Sequence, residues 1–108
     1  MFKKRLQDGI APNFTQKPVI KPDADGKRLC FECKLKADPE PQIFWYRDNE
    51  EIVNKGRYLI YCDKLPDNMF FVCLEIDDVN IVDAGKYKVT AKNNLGESNA
   101  SITLNFDS

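Results

Sequence analysis

Residues 83–96 read Asp83-Ala84-Gly85-Lys86-Tyr87-Lys88-Val89-Thr90-Ala91-Lys92-Asn93-Asn94-Leu95-Gly96. Tyr87, Val89 and Ala91 alternate with Lys86, Lys88, Thr90 and Lys92, which sends the first set to one face of an extended strand and the second to the other. Asp83-Ala84-Gly85 and Asn93-Asn94-Leu95-Gly96 bracket the strand with turn residues. The same period of two recurs outward from this stretch. Leu29, Phe31, Cys33 and Leu35 alternate with Cys30, Glu32, Lys34 and Lys36; Phe70, Val72, Leu74 and Ile76 alternate with Met69, Phe71, Cys73 and Glu75. Ile43, Trp45 and Arg47 alternate with Phe44 and Tyr46 just after Pro39 and Pro41, a proline density that excludes a helix. Ala100, Ile102 and Leu104 alternate with Ser101, Thr103 and Asn105.

Shorter strands are expected at Asn13–Gln16, Val19–Lys21, Glu51–Val53 and Tyr58–Cys62, and a single helical turn only around Asp78–Asp83. Turns at Asp25-Gly26, Asp48-Asn49, Lys55-Gly56 and Pro66-Asp67-Asn68 separate them. Many short strands with one buried face predict an all-β chain of two antiparallel sheets packed face to face. Residues 1–11 have no sustained period and read as a linker or tail; the folded unit is expected over 12–106, with 107–108 again linker.

Composition narrows the function. The 108 residues carry 16 Lys+Arg against 17 Asp+Glu, a net charge of −1, without the basic excess that neutralises phosphates. A nucleic-acid partner is therefore not expected. The longest apolar run, Met69 to Leu74, is far short of the roughly 20 residues of a membrane span. No membrane partner is expected either, and the start MFKKRLQDGI lacks the apolar stretch of a secretory signal. A chain of this size buries roughly 65% of its unfolded surface, enough for one core but not for a deep cleft. Histidine is absent, which removes the commonest general base. Asp77-Asp78, Glu50-Glu51 and Asp23/Asp25 fall in turns and stubs, too exposed to separate the pKa values of an acid/base pair. Gly85 and Gly96 belong to turns and cradle no phosphate. No catalysis, cofactor or metal is expected.

Four cysteines test that expectation. Cys30 and Cys33 form a C-x-x-C, but residues three apart on a strand project to opposite faces, so they cannot share a zinc ion or a redox disulfide. Asn13-Phe14-Thr15 and Asn99-Ala100-Ser101 fit the glycan acceptor pattern, which is short enough to recur by chance.

Over about Pro12 to Phe106 the chain resembles an intermediate-set immunoglobulin domain. Cys33 with Trp45 twelve residues later, Leu74-x-Ile76-x-x-Val79, Asp83-Ala84-Gly85-Lys86-Tyr87 and Ala91-x-Asn93-x-x-Gly96 carry the resemblance. It implies an immunoglobulin-like β-sandwich in which Trp45 covers the core and Tyr87 bonds back to nearby backbone. It also implies an ion pair closing one end, between Asp83 and Arg57, which sits at the start of the Tyr58–Cys62 strand. The family's second cysteine belongs at the position of Val89, so no inter-sheet disulfide is possible. Such a bridge is worth about 2–5 kcal/mol, to be offset by packing of Cys33, Val89, Trp45, Phe31 and Leu74.

A sandwich without its bridge suits a reducing compartment, hence a cytoplasmic location. The same fold implies that Cys30 and Cys73 share an outer face and lie opposite each other on adjacent strands; two reduced thiols are the expectation, with a crosslink under oxidation the alternative. Cytosolic domains of this set resemble those of the titin, twitchin and projectin group and of obscurin, myosin-binding protein C and palladin. That resemblance implies a structural and protein-interaction module of a sarcomeric or cytoskeletal chain, a rod unit of roughly 40 Å loaded in shear where the first strand meets the second and last. Its partners would be neighbouring immunoglobulin or fibronectin-type domains and sarcomeric or cytoskeletal proteins. The alternatives are an extracellular adhesion or receptor module, and a regulatory domain flanking a muscle kinase. With Trp45 inward, Phe44 and Tyr46 face outward beside Lys88, Thr90 and Lys92, a candidate interaction face. Met69, Phe71 and Cys73 make a second apolar row on the other sheet.

Overall fold

The computed structural model describes residues 9–106. Eight strands run in the order β1 (Ile10–Pro22), β2 (Leu29–Asp38), β3 (Gln42–Arg47), β4 (Glu50–Ile52), β5 (Tyr58–Leu65), β6 (Met69–Ile76), β7 (Gly85–Asn93) and β8 (Gly96–Leu104). They form two four-stranded antiparallel sheets, β1-β2-β6-β5 and β4-β3-β7-β8. A single 3₁₀ turn, Ile81–Asp83, precedes β7.

The alternation in the sequence is the alternation in space. Along β2, Leu29, Phe31, Cys33, Leu35 and Ala37 are buried; along β7, Tyr87, Val89 and Ala91 are buried. With Trp45, Phe70, Val72, Leu74, Ile76 and Leu104 they make one continuous interior between the sheets. Two hairpins turn on left-handed backbone. Asp48 and Asn49 form the two-residue connection of β3 to β4 with φ of 47° and 73°, and Pro66-Asp67-Asn68 joins β5 to β6 with φ of 63° at Asp67 and 61° at Asn68.

The first strand departs from expectation. In place of two short segments, β1 is one run that starts at Ile10, inside the stretch the sequence assigns to the linker. Residues 1–8 of that stretch lie outside the described residues. Asn93 accounts for the early start, because its Nδ2 donates to the carbonyl oxygens of Ile10 and Pro39, both at 3.0 Å. Pro12 and Pro18 interrupt the ladder to β2 with register shifts, as prolines in an edge strand do. Among the described residues the ladder partner of β1 is β2, and no ladder joins β1 to β8, so the expected hydrogen bonding of the first strand to the last is absent. The register instead places the start of β1 and the end of β8 at opposite poles. Ile10 pairs with Asp38 and is held by Asn93, whereas Leu104 pairs with Gly85 at the far end of β7.

Candidate interaction face

The interior closes without sulfur chemistry. All four cysteines are free thiols. Cys33 projects from one sheet and Val89 from the other, both with no exposed surface, and Trp45, Leu74 and Tyr87 share that complete burial. Trp45 lies 6.2 Å from Phe31 between ring centroids, and Phe31 lies 4.5 Å from Tyr87. Aromatic rings thus take the space that surrounds Cys33, whose thiol is pushed up to about 12 by burial and secondarily by the charge of Cys62. A thiol so protonated is inert as a nucleophile. The Trp45 Nε1 is buried with no acceptor, a cost of about 1–3 kcal/mol that the packing of the ring must outweigh.

One pole is closed by charge. Asp83 is fully buried, and Arg57 grips it in bidentate fashion, Nη2 to Oδ1 at 2.8 Å and Nη1 to Oδ2 at 3.0 Å. Arg57 Nη1 also donates to the carbonyls of Asp77 and Asp78, and the Asn80 N–H donates to Asp83 Oδ2 at 3.0 Å. Burial alone would raise the Asp83 pKa, but the Arg57 bonds, the Asn80 N–H and the charges of Arg57 and Arg47 outweigh it and hold it below 3.8. The Tyr87 hydroxyl donates to the Asp83 carbonyl oxygen at 2.6 Å, fixing the turn onto β7.

Two further residues belong to this pole and were not singled out from sequence. Arg47 approaches Asp83 Oδ1 at 3.8 Å and donates to the Val82 carbonyl at 3.0 Å. The signal was its parity, since Arg47 falls on the inward side of β3 with Trp45, and an inward cation requires a carboxylate. Asn80 caps the 3₁₀ turn, its side chain accepting from the Val82 N–H at 3.1 Å.

The candidate face lies on the outside of the β4-β3-β7-β8 sheet. Register pairs Phe44 with Thr90, Tyr46 with Lys88 and Gln42 with Lys92, so Phe44, Tyr46, Lys88 and Lys92 do lie together. The face is partly occupied by its own side chains. Lys88 Nζ lies 4.9 Å above the centre of the Tyr46 ring, and Thr90 Oγ1 donates to Asn99 Oδ1 at 2.6 Å. Lys92 is exposed, and Glu97 on β8 and Glu51 on β4 bring negative charge to the same surface. The surface thus carries both signs of charge and is half covered by its own side chains.

On the opposite sheet the expected apolar row is also covered. Cys73 is fully buried although it projects outward, and the Tyr61 ring packs 6.4 Å from Phe71. Cys30 pairs with Glu75, and Cys73 pairs with Glu32. The two thiols are therefore diagonal neighbours and not directly opposite as expected, because the β2–β6 register is offset by two residues from the one that would align them.

Known proteins are similar at the level of sequence and of fold. The family model for the Immunoglobulin I-set domain matches residues 12–106. Human myotilin is 39% identical over 95 residues, covering 87% of this chain and 18% of that protein. Bovine contactin-1 is 36% identical over 97 residues, covering 88% of this chain and 9% of that protein. The chain thus spans less than a fifth of these relatives. Among solved structures, an I-band fragment of titin superimposes with a TM-score of 0.71 at 31% identity, covering 89% of this chain and 32% of that one. Titin domains in complex with telethonin give a TM-score of 0.73 at 25% identity, covering 94% and 50%. Two antiparallel sheets, the Trp45 and Tyr87 geometry and the match across residues 12–106 together make this chain a member of the immunoglobulin I-set family.

Proposed function

We propose that this chain is a structural and protein-interaction module of a modular sarcomeric or cytoskeletal protein, serving as a spacer between neighbouring domains and as a docking surface. The observation that carries the reading is the placement of the ends at opposite poles, Ile10 against Asp38 and Leu104 against Gly85, which lets domains be strung along one axis. Likeness to domains of titin and myotilin supports it. An interior closed by packing supports a reducing, cytoplasmic setting, since it forgoes a bond that such a setting would not maintain. The face built by Phe44, Tyr46, Lys88 and Lys92 is the docking surface in this reading. Pulling a tandem of copies by its ends tests the spacer role: unfolding at forces clearly above those of an isolated helix bundle is expected, and unfolding at forces no higher would overturn it.

The likeness to contactin-1 favours a second reading, an extracellular adhesion module. Secretion from a eukaryotic cell separates the two. A glycan on exposed Asn13 or Asn99 would favour adhesion, and an unmodified mass favours the cytoplasmic module.

A further inference from the structure

The expectation from sequence is that no cysteine here binds metal, because Cys30 and Cys33 face opposite ways. The structure brings together a different set. On the outer face of the β1-β2-β6-β5 sheet, the Sγ atoms of Cys30 and Cys73 and a carboxylate oxygen of Glu75 all lie within 4.8 Å of one another. They come from two adjacent strands through a fixed register, with Cys30 opposite Glu75 and Cys73 two residues before Glu75 on β6, opposite Glu32. We propose that Cys30, Cys73 and Glu75 form a binding site for a thiophilic divalent cation of the zinc class.

Three observations favour a shared ion over the disulfide that the same thiols would otherwise suggest. Tetrahedral zinc, at about 2.3 Å from sulfur and about 2.0–2.2 Å from oxygen, sets its donors about 3.6–3.8 Å apart. Three donors all within 4.8 Å of one another close on such a cation by drawing together by at most about 1 Å. A disulfide instead needs Cβ atoms about 3.5–4.5 Å apart, whereas diagonal cross-strand neighbours stand about 7–8 Å apart, somewhat less between their Cβ atoms. The donors also differ usefully in exposure. Cys73 is fully buried, while Cys30 and Glu75 are half-buried and open the site to solvent, so an ion can enter and a water can complete four-coordination.

The surroundings fit a cation as well. Burial pushes the Cys73 thiol up to about 12, with the Tyr61 hydroxyl working in the opposite direction, so an ion binds there by displacing that proton. Glu75 is at present engaged by Arg28, Nε to Oε1 at 3.6 Å, but the Arg28 side chain is half exposed and also reaches Asp77 at 3.8 Å, where it can stay when the ion takes Glu75. Glu32, paired with Cys73, adds a second carboxylate beside the site, and Lys21 beside Cys30 keeps its salt bridge to Glu32 at 4.0 Å. Binding is balanced by proton release: one divalent cation and two thiols give a dithiolate complex and two protons, with no change in oxidation state.

Cadmium titration of the reduced chain, kept reduced with a phosphine, is the test. The thiolate-to-cadmium absorption in the near ultraviolet should saturate at one ion per chain with the intensity of two thiolates, and zinc should displace it. Cys30→Ser should abolish the two-thiolate signal, Glu75→Gln should weaken affinity about tenfold or more, and Cys62→Ser should leave the titration unchanged. Because Cys73 is buried, Cys73→Ala serves only if circular dichroism shows it folded; the half-exposed Cys30 carries the test regardless. No cadmium absorption, a signal that survives in Cys30→Ser, or one lost in Cys62→Ser would overturn the proposal. So would rapid conversion of the pair by oxidised glutathione to a Cys30–Cys73 disulfide in a chain that takes up no ion. Neither result bears on the role as a spacer, which rests on the poles of the sandwich.

Discussion

Asp83 shows how much one buried side chain can organise. Its carboxylate has no exposed surface and is held by Arg57, Arg47 and the Asn80 N–H. Removing it by Asp83→Ala leaves Arg57, Arg47 and the Asn80 N–H without their shared carboxylate, and a loss of about 3–5 kcal/mol is expected in urea unfolding. The pH dependence follows from the direction of the shift. Because the folded pKa lies below 3.8, the pair contributes fully above that value and is lost as pH falls through the lower folded value. Stability measured against pH should therefore drop on the acid side in the native chain. In Asp83→Asn that drop should be shallower, and an unchanged acid limb would refute the linkage. Tyr87→Phe, which removes the 2.6 Å bond to the Asp83 carbonyl without altering the ring, should cost about 1–2 kcal/mol in the same assay.

At the scale of elements, the join between the β3–β4 hairpin and β7 depends on a position only glycine suits. Gly85 has φ of 152°, and a Cβ there would lie 2.8 Å from Asp48 Oδ2, the carboxylate whose other oxygen accepts from the Lys86 N–H at 3.0 Å. Gly85→Ala should lower stability by about 1–3 kcal/mol, read from the denaturation midpoint. On the neighbouring face, the 4.9 Å contact of Lys88 with the Tyr46 ring should give a coupling of about 0.5–1 kcal/mol in a double-mutant cycle of Tyr46→Ala with Lys88→Ala.

These elements also mark what could be read in advance. Period two in β2, β3, β6, β7 and β8 assigns the inward set, but not the exposure of the outward one, since Cys73 on β6 and Thr90 on β7 project outward and are buried. The resemblance supplied the Arg57–Asp83 pairing, and inward parity would have supplied Arg47. The start of β1 at Ile10 was not legible, since it depends on Asn93 reaching across from β7, a contact 83 residues distant in sequence. The offset between Cys30 and Cys73 was hidden for a related reason: alternation fixes which face a residue takes, whereas register between strands depends on the turn at each hairpin and the fit of the whole interior.

For the molecule as a whole, the closure of the sandwich is the feature from which stability and setting both follow. Val89, at the position where a sulfur would bridge the sheets, packs in an interior with Cys33, Trp45, Leu74 and Tyr87, every one of them without exposed surface. Val89→Ala removes two carbons from that interior, with an expected loss of about 2–3 kcal/mol. The most direct measurement of the central claim is equilibrium unfolding in urea with and without a strong reductant. An interior held by packing alone predicts the same midpoint and the same slope in both. A midpoint that falls when reductant is added would mean that a covalent bond between cysteines holds the layers together, and would contradict the account.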